Sequence, residues 1–534
     1  MFRCSHCGCG FFHPYDSADY RAEPSGGDAA LAFYLQQGAG LRGITSNLIT
    51  LGRPAGSQYL EVGCGFGFGV DFARRALGWN VLGLDPSPFA QAGRSMLALP
   101  IESRYLTADD ASLQNRFDVV MASEVIEHVV SPLSFARTLW ASLRDGGSLV
   151  LTTPDVDAVD PGTPAGLLVP LLSIGYHPVL QSQASLAALL RDAGFVDVAV
   201  RRTGGASLEA RGRRGQAASA ATVVDGDRLY RRYLDDVRAA IERDGDLWLG
   251  FTARAYREAV NAGDLPAADT IWKEFSAACS RRFGFDPDAG AAQARLPGGE
   301  TLEALVKREP LCLGPVLAHR ALHRLVAGAP RPAVEPVFMR AVAACQRLRM
   351  ALQRIGTDDA DAEDIAWVAQ AEIILCAAAR GARDVPERIE ALGPSPADAQ
   401  AARGGVHPRH ALLRRRAFVG LVNAASLDEA GRLAGVVAEV EAHATTPGAI
   451  LADDELDVLY CSAARELQVP KGSAARALDL LTLLDAACAA ARQAGRTGGS
   501  AVTLVTPVRE AKALALKVLG RTEEAERERA ARQG

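Results

Sequence analysis

The sequence predicts a doubly wound α/β sheet followed by a large all-α region of helical hairpins. Three observations carry that prediction. The stretch Tyr59 to Asp85, YLEVGCGFGFGVDFARRALGWNVLGLD, reads as strand, glycine turn, helix, strand. Short apolar runs then recur at βαβ spacing, among them the continuous run FDVVMA at Phe117 to Ala122, as a strand covered on both faces requires. From about residue 225 alanine, arginine and leucine dominate, and strand-like runs nearly vanish. At 534 residues the chain is too long for one core. Three parts are expected: a cysteine-containing segment at 1–24, an α/β domain at 25–220 and an all-helical domain at 225–534.

The elements follow in order. Cys4 and Cys7 form a C-x-x-C knuckle with Cys9 two residues on. Structural zinc takes four ligands, normally from two knuckles. Only one is present, and neither His6 nor His13 stands at a usual spacing. Ala29 to Gln37 has a helical pattern. Gln58 to Val62 is the first strand, Val70 to Leu77 a helix, and Val81 to Leu84 a strand ending on Asp85. Pro86 to Ala98 reads as a helix with proline near its start. Glu102 to Leu106 is the third strand and Phe117 to Ala122 the fourth. Pro132 to Leu143 is a helix, closed by Gly146-Gly147 before the fifth strand, Ser148 to Thr152. Leu186 to Ala193 is a helix ended by Gly194, and Phe195 to Val200 opens an antiparallel pair.

An open parallel sheet binds ligands at its carboxyl edge, where glycines let the ligand approach the main chain. Here Gly63, Gly65, Gly67 and Gly69 alternate with other residues, unlike the G-x-G-x-x-G of dinucleotide sites. Glu61 would repel a pyrophosphate and suits a cationic ligand. Asp85, at the end of the second strand, can accept hydrogen bonds from both hydroxyls of a ribose. The stretch resembles the first two motifs of the class I S-adenosylmethionine-dependent methyltransferases, whose cofactor carries a sulfonium and an ammonium. The resemblance runs from about residue 57 to 202 and includes LRDGGSLVLTTPD. It implies a seven-stranded, mostly parallel sheet of order 3-2-1-4-5-7-6. It also implies S-adenosylmethionine as cofactor, held by Glu61, Gly63, Gly65, Gly67, Asp85, Pro86, Asp109 and Ser123. Asp109 takes the place of an acid that meets the adenine amino group, with Asp110 its rival. The first 24 residues resemble the second half of a zinc ribbon that precedes the methyltransferase domain in some sugar C-methyltransferases. If that resemblance holds, the first half of the ribbon is missing, and whether the true N-terminus lies upstream of Met1 is left open.

After the fourth strand comes SEVIEHV. If it begins a helix, Glu124, Glu127 and His128 share one face. His177 lies about fifty residues on, just before Ser182, which can cap the next helix. Two carboxylates and two imidazoles suit a divalent ion. The set resembles the Glu-x-x-Glu-His and distal His of the small-RNA 2'-O-methyltransferases, and the Glu-x-x-Glu-His of the ubiquinone-pathway O-methyltransferases. In both families a metal holds neighbouring hydroxyls. Glu-His also recurs in metal-free relatives, so no metal ligands are assigned and a divalent ion stays open. Glu124, Glu127, His128 and His177 are the catalytic candidates, His177 as general base or substrate contact.

Three segments of the helical region share a pattern, starting at Val260, Val422 and Val518. In each, a small residue (Gly263, Ala425, Gly520) stands five positions before an alanine (Ala268, Ala430, Ala525). That is helix, tight turn, helix, and it resembles a degenerate tetratricopeptide hairpin. Arg380 to Val406 reads as a long loop. Arg201 to Arg214 reads as a solvated face. The net charge of -5 gives no pull towards nucleic acid. No apolar run is long enough to span a bilayer, and the N-terminus lacks the core of a signal peptide. A cytoplasmic protein is expected, with Cys279, Cys312, Cys345, Cys376, Cys461 and Cys488 buried rather than in disulfides. The expected function is methyl transfer to a hydroxyl or carbon of a small metabolite or saccharide, with residues 153–180 forming the acceptor pocket. The alternative is a scaffold whose helical domain binds a protein partner and whose methyltransferase-like domain binds cofactor without turnover.

Overall fold

In the computed structural model the described residues are 1–534 apart from 15–19, 23–26, 39, 204–205, 216–224, 290–299, 398–407, 469–471 and 531–534. The described strands are β1 (Phe2–Arg3), β2 (Gly10–Phe11), β3 (Gln58–Val62), β4 (Asn80–Leu84), β5 (Ile101–Glu102), β6 (Phe117–Ser123), β7 (Leu143–Pro154), β8 (Val179–Leu180), β9 (Val196–Thr203) and β10 (Ser207–Arg213). Seven of them form one sheet in the order β5-β4-β3-β6-β7-β10-β9. Numbered within the sheet, that is the expected 3-2-1-4-5-7-6. The first five are parallel, and β10 runs antiparallel to both β7 and β9. The middle strand β6 is buried for six of its seven residues, which is why its sequence is an unbroken apolar run. A small second sheet, β1-β2-β8, joins the N-terminal knuckle to the segment that carries His177.

The helices around the sheet are α1 (Gly27–Gln37), α2 (Leu41–Ile49), α3 (Phe68–Arg75), α4 (Pro88–Leu97), α5 (Pro132–Ser142), α6 (Ala165–Leu172) and α7 (Gln183–Asp192). Ser87 caps α4 with proline at its first position, and a Ser182–Ser185 capping box opens α7. Next come α8 (Gly226–Ala240), α9 (Asp246–Asn261), α10 (Leu265–Phe283), α11 (Leu302–Arg308), α12 (Leu313–Val326), α13 (Arg331–Gln353) and α14 (Ala360–Ala379).

The chain forms two compact units, 1–329 with 340–366, and 330–339 with 367–534. The composition change at 225 is therefore not where the chain divides, because α8 and α9 complete the core of the α/β part. The Tyr233 ring meets Phe72 edge-on at 5.0 Å, and Phe251 lies 6.0 Å from Phe68. These aromatic faces would be open to water without the two helices. The second unit is all-helical among its described residues, with a core that includes Phe418, Leu459 and Leu481.

Each of the three hairpins carries the same turn. Gly263, Ala425 and Gly520 are left-handed, with φ of 69°, 57° and 77°. The next N–H reaches back five residues in every case, from Asp264 to Ala259, Ser426 to Leu421 and Arg521 to Leu516, all at 2.9 Å. That is the Schellman ending of a helix. Ala268, Ala430 and Ala525 are buried in the following helix. The same bond occurs at Ala329 to Arg324, Ala382 to Ala377 and Arg496 to Ala491, which the sequence comparison missed.

Three further expectations are corrected. The third strand is only Ile101–Glu102, since Arg104 turns back to bond Glu102. SEVIEHV is not a helix: Glu124 takes a left-handed φ of 55°, and only a 3₁₀ turn, Ile126–His128, follows. The stretch read as a long loop contains a helix, Val385–Leu392, and its residues 398–407 lie outside the described residues. Four of the five arginines of 201–214 are ion-paired, Arg201 and Arg211 with Glu209, Arg202 with Asp155, and Arg213 with Asp197, while Arg214 donates to the Ala141 and Leu143 carbonyls. All ten cysteines are free, and the six of the helical region are buried. No described helix is long and apolar enough to cross a membrane.

Candidate active site

The glycine loop leaves β3 and enters α3. Gly65 has a φ of 51°, and a Cβ there would run into the Tyr34 hydroxyl. Gly69 is needed for a different reason. A Cβ there would sit 2.5 Å from the Glu61 carboxylate, which packs against the first turn of α3. Glu61 is 2% exposed and accepts a hydrogen bond from the Tyr59 hydroxyl at 3.0 Å. Burial, with the Asp85 charge nearby, pushes its carboxyl up to about 8. So Glu61 braces the loop from inside rather than facing the open edge.

Asp85 follows β4, and its carboxylate is fixed by two main-chain donors. The Gly65 N–H donates at 2.8 Å and the Ser87 N–H at 2.7 Å. Pro86 makes the turn into α4. Each carboxylate oxygen keeps a second acceptor site for a ligand hydroxyl. After β5, Asp110 is committed to Arg104 at 2.6 Å and to Ser112. Asp109 is exposed, and no described residue bonds its side chain. Ser123 ends β6, its hydroxyl 2.8 Å from that of Thr152. Tyr34, on α1, had no motif to mark it. Its ring lies 4.8 Å from Phe89 and stacks on Phe68, and burial raises its phenol.

The chemistry-bearing cluster adjoins that loop: a Cβ on Gly63 would strike Val125, in the middle of SEVIEHV. Ligand atoms of Glu127, His128 and His177 all lie within 4.8 Å of one another. Glu124 is not one of these three: the turn that replaces the expected helix exposes much of the residue, although its carboxyl still lies close enough to Glu127 and Thr152 for burial there to raise it. Glu127 is fully buried. Its Oε2 accepts from the Thr153 hydroxyl at 3.0 Å, and its Oε1 has no partner. Burial and the neighbouring Glu124 charge push its carboxyl well above the ordinary range.

The two imidazoles are set by their other nitrogens. His177 Nδ1 lies 2.8 Å from the Leu171 carbonyl and His128 Nδ1 3.0 Å from the Tyr176 carbonyl. A carbonyl only accepts, so each Nδ1 carries the proton and each Nε2 keeps a free lone pair. The rings meet edge-on at 4.6 Å. Burial lowers both, His177 to about 4, so both are neutral at pH 7. The Tyr20 oxygen lies 2.6 Å from His128 Nδ1 and its hydroxyl donates to the Tyr176 carbonyl at 3.2 Å, a contact no sequence motif announced. Further along the small sheet, the thiols of Cys4, Cys7 and Cys9 converge, while His6 and His13 stand apart on the surface.

Residues 37–200 match a family model described as a methyltransferase domain. A ubiquinone biosynthesis O-methyltransferase of Nitrobacter winogradskyi is 34% identical over 119 residues, 22% of this chain and 45% of that protein. Its counterpart in a Methylobacterium species is 38% identical over 104 residues, 18% of this chain and 41% of that protein. The chain thus spans less than half the length of these curated relatives. Among solved structures, an S-adenosylmethionine-dependent methyltransferase from Mesorhizobium loti is 20% identical with a TM-score of 0.28, over 34% of this chain and all of that one. With its sheet order, glycine loop and family match, the segment is a methyltransferase domain. It belongs to the class I S-adenosylmethionine-dependent methyltransferases.

Proposed function

We propose that the chain transfers the S-adenosylmethionine methyl group to a hydroxyl of a small molecule. The observation that carries this is the convergence of Glu127, His128 and His177 beside the glycine loop, with both Nε2 lone pairs free. S-adenosylmethionine, when bound, supplies a methyl that is already electrophilic. The chain's own task is to orient the acceptor oxygen in line with it and to take the proton. Asp85 and Asp109 hold the nucleoside end. His177 or His128 Nε2 takes the hydroxyl proton, its Nδ1–H anchored on a backbone carbonyl so that the ring cannot turn.

A divalent ion is supported by a specific observation. Glu127 Oε1 is a buried oxygen with no partner, beside two imidazoles in the tautomer that ligates. Glu127, His128 and His177 would hold the ion, which would lower the cost of forming an alkoxide on the acceptor. The chemistry would then favour neighbouring hydroxyls, as in a catechol or vicinal diol. Relatives named as ubiquinone biosynthesis O-methyltransferases agree with a hydroxyl acceptor. The experiment is to measure S-adenosylhomocysteine release over a panel of catechols, diols and saccharides. Release with a hydroxylated acceptor supports the reading. Tight S-adenosylhomocysteine binding without turnover on any acceptor favours the scaffold alternative, in which the helical second unit recruits a protein.

A further inference from the structure

A cavity of about 660 Å³ opens in the first unit between α1, the start of α2, α8, α9 and α12. That is the size of a small-molecule site. The wall it shares with the methyltransferase part is α1. Phe33 and Gln36 of that helix line the cavity, while Tyr34 lies against the glycine loop. The cavity is therefore distinct from the cofactor edge.

The unmet groups in its lining are donors and cations. The acids are all engaged: Asp227 pairs with Arg42, Asp361 with Arg257 at 3.3 Å, and Glu258 lies 4.0 Å from Arg42. Asp359 accepts from the Asp361 N–H at 2.9 Å and the Ala362 N–H at 3.3 Å. Tyr230 differs. It lines the cavity, and no described residue hydrogen-bonds its hydroxyl, which leaves that hydroxyl free to donate to a ligand. Arg254 Nε, also in the lining, is a buried donor with no partner, a cost to stability unless something binds there. Arg254 donates only to two carbonyls at the end of α1, Gln36 at 3.2 Å and Leu35 at 3.3 Å, and pairs with no described carboxylate. Burial lowers the proton affinity of its guanidinium, as expected for a cation lacking an anion. The fields of Arg254 and Arg42 both reach the Tyr230 phenol. Arg231, also in the lining, has no ion-pair partner among the described residues. Phe33, Leu41, Leu311 and Leu348 supply apolar wall.

We propose that this cavity binds a small organic anion, a carboxylate on an apolar body, recognised by Arg254 and the Tyr230 hydroxyl. The anion would pair the Arg254 guanidinium, whose buried Nε lacks a partner, and accept from the Tyr230 hydroxyl, and the apolar wall would cover its body. This site goes beyond the methyl-transfer reading and does not depend on it.

The test is calorimetric titration of the full chain with phenylacetate, phenethylamine and 2-phenylethanol, without S-adenosylmethionine. One saturable site for phenylacetate is expected, with the amine and the alcohol at least about tenfold weaker, as loss of a charge-assisted hydrogen bond implies. Tyr230→Phe should weaken phenylacetate several-fold without lowering the thermal unfolding midpoint, because the hydroxyl bonds nothing in the free protein. Arg231→Gln, on a half-buried side chain, should weaken it as well. Arg254→Met should abolish binding. Should that variant fail to fold, the Tyr230 and Arg231 variants still decide. Equal affinity for the three probes, unchanged affinity in Tyr230→Phe, or no saturable phenylacetate binding up to about 10 mM overturns the proposal.

Discussion

The Tyr233 hydroxyl donates to the Asp71 carboxylate at 3.0 Å, joining α8 to the helix that follows the glycine loop. Asp71 is fully buried and also takes Arg75 at 2.8 Å and Arg74 at 3.1 Å, its own neighbours one turn on. A chain cut at 224 would lose Tyr233 and Phe251 and bare Phe68 and Phe72. Such a fragment should bind a hydrophobic dye and unfold without cooperativity, whereas the full chain should not. In the full chain, Tyr233→Phe should cost about 1.5–3 kcal/mol, the range for a hydrogen bond to a charged group. Denaturant titration of both proteins measures it. A fragment 1–224 as cooperative as the whole would restore the boundary that composition suggested.

Asp85, proposed above to hold the nucleoside, also organises the loop. Its carboxylate holds the Gly65 and Ser87 N–H groups, so Asp85→Ala frees the loop as well as removing the ribose acceptors. S-adenosylhomocysteine affinity should fall more than about tenfold, since each charge-assisted bond is worth roughly 1.5–3 kcal/mol. Calorimetry on the folded variant reads this directly. An unchanged dissociation constant removes Asp85 from the cofactor site.

Glu61 should make stability depend on pH in an unusual direction. Its carboxyl keeps a proton up to about pH 8 in the fold, against 4.5 as its ordinary value. Between those values the folded state binds more protons than the unfolded one. The contribution is therefore full below 4.5 and is lost as pH rises towards 8. Glu61→Gln cannot ionise and should flatten that decline by up to a few kcal/mol. Denaturation midpoints at pH 5 and pH 8 for both proteins give the slope. Equal slopes would mean that Glu61 is already ionised at pH 5 in the fold.

The sheet was legible because each of its strands carries a local signature: apolar runs, glycines after β3, an acid after β4. The hairpins were legible where an alanine followed a left-handed small residue by five positions. The turns at Gly381 and Gly495 end helices the same way but have Pro386 and Ser500 where that alanine would stand, and the turn at Gly328, with Ala333 five positions on, carries the spacing and was passed over. The division of the chain was not legible, because the fact that α8 covers Phe72 is a long-range property with no local mark. The same holds at the site. Glu127, His128 and His177 could be picked out as chemically apt residues, but their meeting depends on the β8 segment folding back beside β2. Tyr20 and Tyr34 come from stretches with no motif. The helix expected at SEVIEHV failed because Glu124 adopts a left-handed conformation, a strained choice for glutamate that no propensity foretells.

That strained turn leads to the decisive test of the site. It turns Glu127 inward, where its Oε1 lacks a partner and lies 4.0 Å from His128 Nε2. Burial pushes such a carboxyl towards its protonated form. An ion held there by Glu127, His128 and His177 would take the carboxylate as a ligand and satisfy the buried oxygen. Turnover is therefore expected to require a divalent cation. EDTA should abolish it without shifting the unfolding midpoint below that of the untreated apo protein, and added magnesium or manganese should restore it. Glu127→Gln should lose this rescue while binding S-adenosylhomocysteine normally, because the glycine loop and Asp85 are untouched. His177→Ala should lower turnover on either reading: without an ion by about 10²–10⁴, the usual range for removing a general base, and with one because a ligand of the ion is lost. Full activity after EDTA treatment would leave proton removal to His177 and His128 alone. In that case Glu127→Gln should keep most of its activity, because a neutral amide replaces a carboxyl that burial already pushes towards its neutral form.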